Sequence, residues 1–239
     1  MPLSFRQLLC GFLLLGLFAQ QARAQVLIDA GHGPKSVGST SFYGKQEHIY
    51  TEKMKHRVLF HLSRLNIPAS GLSQNDTLEE RAKTQGTLLV SLHYDSVPQS
   101  MRDNGLAETK AGYSVLVSRK NAYYIDSVRC AQSVGQSMHR FAGEKKSDYR
   151  NHLDGFRTPY NRIFGVHIYD NLRLLRQSVQ PALLVELGMW VNSKEEPRLL
   201  SPQTMDKQAL AIVKGIQKCL PVLPYRPKRT DIVFPFRVL

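Results

Sequence analysis

Residues 26–34 read VLIDAGHGP, a short apolar and β-prone run that ends at an acid and opens into a glycine-rich turn. Such a run, bounded by turn residues, predicts a buried strand followed by a loop. Two similar runs occur further along the chain, TLLVSL at residues 87–92 and ALLV at residues 182–185. Residues 112–118 predict one more buried strand between them. The chain therefore contains at least four segments suited to the interior of a sheet.

Helical patterns separate these strands. Apolar residues recur at helical spacing over residues 46–65, 124–141 and 203–219. Thr77 and Glu80 have the spacing of a capping box, which predicts a short helix running towards Gln85. Strands that alternate with helices predict an α/β fold. We expect a single domain, built on a twisted, mostly parallel or mixed sheet with helices on both faces.

Composition limits the classes of protein to which this chain can belong. It has 239 residues, of which 42% are hydrophobic, enough for one domain with a full core. Three cysteines are too few for a disulfide-dense scaffold or a multi-cysteine zinc ribbon. The net charge of +13 favours an anionic partner. Because the basic residues are scattered and no glycine-rich phosphate loop occurs, we do not expect nucleic acid to be that partner.

The two ends of the chain are not expected to belong to the domain. Residues 1–24 combine Arg6, an apolar run and a small-residue cleavage site, which predicts a signal peptide. We expect export, to the periplasm or otherwise to the cell wall or the extracellular space, and no transmembrane segment in the mature chain. The domain should span residues 25–220, and residues 221–239 form a basic, proline-containing tail. Cys130 and Cys219 would then be either a disulfide or two buried thiols.

Polar residues follow three of the predicted strands. His32 comes just after the first, His93 after the second and Glu186 after the last. In open α/β sheets, sites gather outside the carboxyl ends of strands, so these side chains can converge. Glu47 begins the helix that follows the His32 loop and can reach the same crevice.

This set of side chains suits zinc hydrolysis. Two histidines and a carboxylate are a common catalytic zinc set, and a carboxylate that does not bind the metal can accept a proton. Histidines at strand ends are, however, also typical structural residues. Glu52 is the alternative to Glu47, although it lies five residues further along the helix and points elsewhere.

The local sequence motifs around these residues are more specific than the residue types alone. The segments LIDAGHG (27–33), GKQE (44–47), VSLHYD (90–95) and LVELG (184–188) resemble, in this order, the zinc-dependent N-acetylmuramoyl-L-alanine amidases of type 3. The resemblance covers nearly all of residues 25–220. It implies that one Zn²⁺ is held by three ligands and that a separate glutamate is the catalytic acid and base. These positions are His32, Glu47 and His93 for the metal, and Glu186 for catalysis.

The implied substrate is peptidoglycan, cut at the amide between the lactyl group of N-acetylmuramic acid and L-alanine. Such an enzyme would serve cell-wall remodelling or the separation of daughter cells. The residues near the site that we consider for substrate binding are Tyr94, Asp95 and Arg81. Tyr94 stands where the family usually has a small residue. A zinc peptidase that acts on stem peptides and a non-catalytic wall-binding protein remain alternatives.

Residues 142–162 are polar and charged, and they predict an insertion or a long loop. Some exported members of the family carry an inserted helix here that covers the zinc until a partner protein displaces it. The resemblance therefore implies a regulatory segment on which an activator acts. Glu144, Asp148 or Asp154 would be the blocking ligand. The alternative is a loop that shapes the substrate site.

Overall fold

The computed structural model describes residues 25–149 and 157–223. The strands within these ranges are β1 (Val26–Ala30), β2 (Ala69–Gly71), β3 (Leu88–Asp95), β4 (Ser114–Val117), β5 (Thr158–Asn161), β6 (Val166–Ile168) and β7 (Ala182–Met189). The helices are α1 (Glu47–Arg64), α2 (Leu78–Lys83), α3 (Gln99–Asp103), α4 (Tyr124–Arg140), α5 (Arg173–Gln177), α6 (Glu195–Leu199) and α7 (Pro202–Cys219). In these two ranges no helix is long and apolar enough to cross a bilayer.

The strands form one mixed sheet in the order β2-β1-β3-β7-β4-β6-β5. Strands β2, β1, β3 and β7 run parallel to one another, whereas β4 lies antiparallel to β7. Strand β6 is parallel to β4, and β5 is antiparallel to β6 at the edge. The predicted single α/β domain with a mixed sheet is thus confirmed.

Helices cover both faces of the sheet, as alternating side chains require. The long helices α1, α4 and α7 lie on one face, where they pack on residues such as Ile28, Val90 and Val185. The short helices α2 and α5 lie on the other face and pack on Leu27, Leu89 and Leu184. The short-helix face is the one on which polar side chains can form a site, because its apolar cluster ends partway along the central strands.

Two of the predicted strands are longer than the sequence suggested. Strand β3 continues past His93 to Asp95, and β7 continues past Glu186 to Met189. The reason is that the two strands pair with each other beyond their apolar parts, with His93 opposite Glu186. These side chains therefore project from the sheet face itself. On the short-helix face, His93 follows Leu89 and Ser91 along β3, and Glu186 directly follows Leu184 along β7.

The prediction of a loop over residues 142–162 is only partly correct. Thr158–Asn161 forms β5, whose proline is tolerated because β5 is the edge strand of the sheet. Residues 150–156 lie outside the described residues, as do the predicted signal peptide and residues 224–239 of the tail. The short strands β2 and β6 were not predicted, because three residues show no readable periodicity.

Cys130 of α4 and Cys219 at the end of α7 form a disulfide, with a Cα–Cα distance of 5.1 Å. The sequence left this open between a disulfide and two thiols. The bond joins two helices that pack on each other over the long-helix face, far along the chain from one another, with a sequence separation of 89. The disulfide therefore links α7, the last helix of the domain, to α4.

Candidate active site

The first site residue, His32, lies in the turn after β1. Its backbone has a φ of 66°, in the left-handed region that residues other than glycine rarely adopt. Such strain persists only where the surrounding structure holds it, and it is concentrated at functional sites. The turn is held by the hydrogen bond from the Gly31 N–H to the Leu92 carbonyl of β3. The imidazole of His32 is therefore placed beside the neighbouring strand.

Glu47 is the first residue of α1 and is almost fully buried, with 2% of its surface exposed. Both carboxylate oxygens accept hydrogen bonds. The Ser39 N–H and hydroxyl donate to Oε2 at 2.9 and 2.8 Å, and the Tyr94 N–H donates to Oε1 at 3.0 Å. Burial raises the pKa of Glu47, but the interactions with His32 and His93 outweigh burial and hold the pKa below its usual value.

His93 projects from β3 and completes a cluster with the first two residues. Its Nδ1 lies 3.2 Å from Glu47 Oε1, and His32 Nε2 lies 3.4 Å from Glu47 Oε2. One ligand atom from each of the three residues lies within 4.8 Å of the others. The two imidazoles meet edge to face, with their ring centroids 4.8 Å apart. The structure thus brings together the three residues that the sequence assigned to a metal.

The cluster fits a zinc ion in its chemistry and its spacing. Two nitrogens and one carboxylate oxygen are the donor set of catalytic zinc sites. Zinc ligands about 2.1 Å from the ion, at a tetrahedral angle, lie about 3.4 Å apart. Each histidine lies at about this distance from one oxygen of Glu47, His32 from Oε2 and His93 from Oε1.

Two glycines leave room for this cluster. A Cβ at Gly31 would lie 2.3 Å from the His93 ring, and a Cβ at Gly38 would lie 2.7 Å from Glu47 Oε2. Because any larger residue would displace a histidine or the carboxylate, the backbone is shaped around these side chains.

Glu186 projects from β7 between His93 of β3 and Ser114 of β4, its partners in the two ladders. It is buried, with 7% of its surface exposed. Its Oε2 atom has no hydrogen-bond partner among the described residues. Burial, followed by the charge of Asp95, raises the pKa of Glu186 well above its ordinary value, although Arg157 opposes the shift. A raised pKa makes the carboxylate a stronger base, which suits a group that accepts a proton from water and later returns it.

The three residues considered for substrate binding are instead buried in internal contacts. Tyr94 stacks on Trp190, with ring centroids 5.2 Å apart. Arg81 donates to Asp29 Oδ1 at 2.8 Å, and Asp95 accepts a two-pronged hydrogen bond from Arg157. The assignment of these side chains to substrate is not supported, because burial and internal partners leave none of them exposed beside the cluster.

The proposed blocking ligands lie elsewhere or outside the described residues. Glu144 is bound by the guanidinium of Arg198 through two 3.0 Å hydrogen bonds, so it does not block the cluster. Asp148 is exposed and is not part of the cluster, whereas Asp154 lies outside the described residues. Glu52, the alternative to Glu47, pairs with Lys55 and His56 along α1.

The sequence did not reveal the residues that support the site. Trp190, just after β7, donates its indole N–H to the hydroxyl of Ser39, which in turn donates to Glu47. Glu196 of α6 accepts hydrogen bonds from the Tyr43 N–H and from Lys45 Nζ. These contacts hold the loop between His32 and Glu47 against the end of β7. Their partners are more than 150 residues apart, so no local signal could have shown them.

Comparison with known proteins identifies relatives of this arrangement. The Amidase_3 family, N-acetylmuramoyl-L-alanine amidase, matches residues 26–218. An uncharacterized cell wall amidase of Bacillus anthracis is 25% identical over 204 residues, which are 80% of this chain and 34% of the relative. The chain therefore spans about a third of the length of that relative.

Solved structures share the fold. An N-acetylmuramoyl-L-alanine amidase from Clostridium difficile 630 has a TM-score of 0.67 at 22% identity, over 83% of this chain and 97% of that one. The amidase Ami1 from Mycobacterium smegmatis has a TM-score of 0.67 at 23% identity, with the same two coverages. The CwlD amidase from Clostridioides difficile, solved in complex with the GerS lipoprotein, has a TM-score of 0.64 at 18% identity, over 84% of this chain and 100% of that one. With a family match over residues 26–218 and this fold, the chain belongs to the N-acetylmuramoyl-L-alanine amidase family, Amidase_3.

Proposed function

We propose that this chain is an exported, zinc-dependent N-acetylmuramoyl-L-alanine amidase. It hydrolyses the amide between the lactyl group of N-acetylmuramic acid and L-alanine in peptidoglycan, for wall remodelling or daughter-cell separation. The observation that carries the proposal is the convergence of His32, Glu47 and His93 on one point, next to the ladder position of Glu186. Family membership supports the choice of bond.

In this mechanism each side chain has one task. His32, Glu47 and His93 would hold the zinc ion, which lowers the pKa of a coordinated water towards about 7. Glu186 accepts a proton from the attacking water, and no described residue competes for its Oε2 atom. It then donates that proton to the nitrogen of the departing L-alanine. The buried position of Glu186 keeps bulk water from competing for the proton.

Removal of the metal should abolish activity. We expect clearing of a peptidoglycan zymogram to disappear with a chelator and to return when Zn²⁺ is added in excess. Glu47→Gln should bind zinc at least about 100-fold more weakly, because it loses a charged ligand oxygen. Glu52→Gln, which changes an acid on the same helix outside the cluster, is the matched control. Activity that survives exhaustive chelation would contradict the proposal.

Product analysis separates the amidase from a zinc peptidase. The amidase releases intact stem peptides and leaves the glycan free of peptide, whereas a peptidase shortens peptides that stay attached to sugar. A non-catalytic wall-binding protein would release nothing. The buried carboxylate of Glu186 argues against the last alternative, since a binding module gains nothing from a costly buried acid with an unpartnered oxygen.

Export to the periplasm is part of the proposal. It rests on the signal-peptide pattern of residues 1–24, and the Cys130–Cys219 disulfide suits an oxidising compartment. Export would place the enzyme in the compartment that contains its proposed substrate, peptidoglycan.

We also propose that a partner protein acts on the segment of residues 142–162. The segment contains Arg157, whose Nη2 lies 3.6 Å from Glu186 Oε1. One neighbour, CwlD, was solved in complex with a lipoprotein. Deletion of residues 150–155, which keeps Arg157, is expected to raise turnover measured without a partner. Turnover that is unchanged or lower would reject a blocking role for this segment.

A further inference from the structure

A buried arginine, Arg157, lies next to the carboxylate of Glu186, the proposed catalytic residue. Arg157 precedes β5 and is 5% exposed. Its Nη1 donates to Asp95 Oδ2 at 2.5 Å and its Nη2 to Asp95 Oδ1 at 3.1 Å. The same Nη2 lies 3.6 Å from Glu186 Oε1. Burial of an arginine is costly, so a fully buried guanidinium between two acids requires an explanation.

The aromatic residues around Arg157 limit its movement. The guanidinium carbon lies 5.6 Å from the ring centroid of Tyr149 and 5.8 Å from that of Tyr169. These distances are within the range of cation–π attraction. With Asp95 binding both terminal nitrogens, the guanidinium has a single orientation, and its charge is presented to one side of Glu186.

The two oxygens of Glu186 have different surroundings as a result. Oε1 faces the charge of Arg157, whereas Oε2 has no hydrogen-bond partner among the described residues. Arg157 already makes a two-pronged pair with Asp95, so it attracts Glu186 without forming a second such pair. Oε1 is thus attracted to a fixed charge at 3.6 Å, whereas Oε2 is a buried atom whose lone pairs no described residue uses.

We propose that Arg157, itself held by Asp95, is a positioning residue that fixes the orientation of the Glu186 carboxylate for proton transfer. The inference rests on the proposed function, because it assigns a supporting residue to the same reaction. It also gives Asp95 a role other than substrate binding. The alternative is that Arg157 and Asp95 only stabilise the fold as a buried ion pair.

The experiment compares three variants at a temperature where each is folded. Arg157→Lys keeps the charge but loses the two-pronged geometry, and Arg157→Met removes the charge. The double variant Arg157→Met/Asp95→Asn removes both charges of the pair. Arg162→Lys and Arg162→Met are matched controls, because Arg162 is exposed and lies five residues further along. For each protein we would measure kcat and KM for peptide release, zinc content and the melting temperature.

We expect kcat to fall about 10-fold in Arg157→Lys and about 100-fold in Arg157→Met, with KM and zinc content unchanged. The double variant should regain melting temperature relative to Arg157→Met, because no unpaired charge stays buried, but it should not regain kcat. Wild-type kcat in Arg157→Lys, recovery of kcat in the double variant, or loss of zinc in parallel with kcat would overturn the proposal. If Arg157→Met does not fold, Arg157→Lys decides.

Failure of the proposed function gives a different result. In that case the wild-type protein loaded with zinc releases no peptide, and metal-free crystal structures decide the inference. A Glu186 carboxylate that turns away from its wild-type position in Arg157→Lys supports a positioning role. An unmoved carboxylate overturns it.

Discussion

Glu186→Gln is expected to lower turnover of peptidoglycan by about 1,000-fold while zinc content stays at the wild-type level. The amide has the size of the carboxyl group but cannot accept the proton of the attacking water, and general acid–base catalysis contributes about 10²–10⁴-fold. The proposed ligands His32, Glu47 and His93 are unchanged in this variant. Peptide release from purified peptidoglycan, measured together with metal content, checks this expectation.

The same substitution should raise the melting temperature, increasingly so as the pH rises. Burial raises the folded-state pKa of Glu186, so any stability from its protonated form is complete below the unfolded pKa and is lost as pH rises through the folded pKa. A glutamine has no such loss. The difference in melting temperature between the variant and the wild type should therefore be larger at pH 8 than at pH 4.

Glu52→Gln is the control for both measurements, since it removes a partly exposed acid of α1. It should leave kcat and the pH dependence of the melting temperature at wild-type values. A Glu186→Gln protein that stays fully active would show that another group accepts the proton. A variant that is inactive but has lost its zinc would instead assign Glu186 to metal binding.

Loss of the disulfide should have the largest effect on stability. Replacement of Cys130 and Cys219 by serine is expected to lower the free energy of unfolding by about 4 kcal/mol, because the bond closes a loop with a sequence separation of 89. For a domain of this size the melting temperature should fall by about 8–16 °C. Thermal and urea unfolding of the oxidised protein and of the double variant would measure the change.

Removal of the disulfide should leave the activity unchanged, although it lowers the stability. Both cysteines lie in the apolar cluster of the long-helix face, whereas His93 and Glu186 project from the short-helix face. At a temperature well below both transitions, kcat should therefore match the wild type. A double variant that melts at the wild-type temperature would show that the bond adds nothing to folding. A folded variant with low kcat would show that the two faces are coupled.

The lengths of β3 and β7 show what local sequence patterns cannot predict. Apolar runs at residues 87–92 and 182–185 correctly predicted buried strands, because burial in a central sheet selects such runs. Both strands nevertheless continue past the polar residues His93 and Glu186. Strand length is decided by the neighbouring strand that supplies the hydrogen bonds, and that partner is remote in sequence.

The supporting residues show the same limit more strongly. Arg157 and Asp95 are 62 residues apart in the chain, and neither one by itself differs from a surface charge in sequence. Tyr94, Asp95 and Arg81 looked available for substrate because they adjoin the site motifs. The folded chain buries all three. Exposure depends on what packs above a residue, which periodicity does not show.

The ordered motifs of the sequence alone were sufficient for the α/β class and for the main strands and helices. They also predicted the three side chains that the fold brings together, His32, Glu47 and His93. Such motifs can be read locally, because each follows a strand or starts a helix that forms through near neighbours. Only the tertiary structure decided that Cys130 bonds Cys219, that Glu144 pairs with Arg198, and that Arg157 stands behind Glu186. These contacts join segments distant in sequence, and their energies depend on burial, which exists only after the chain has folded.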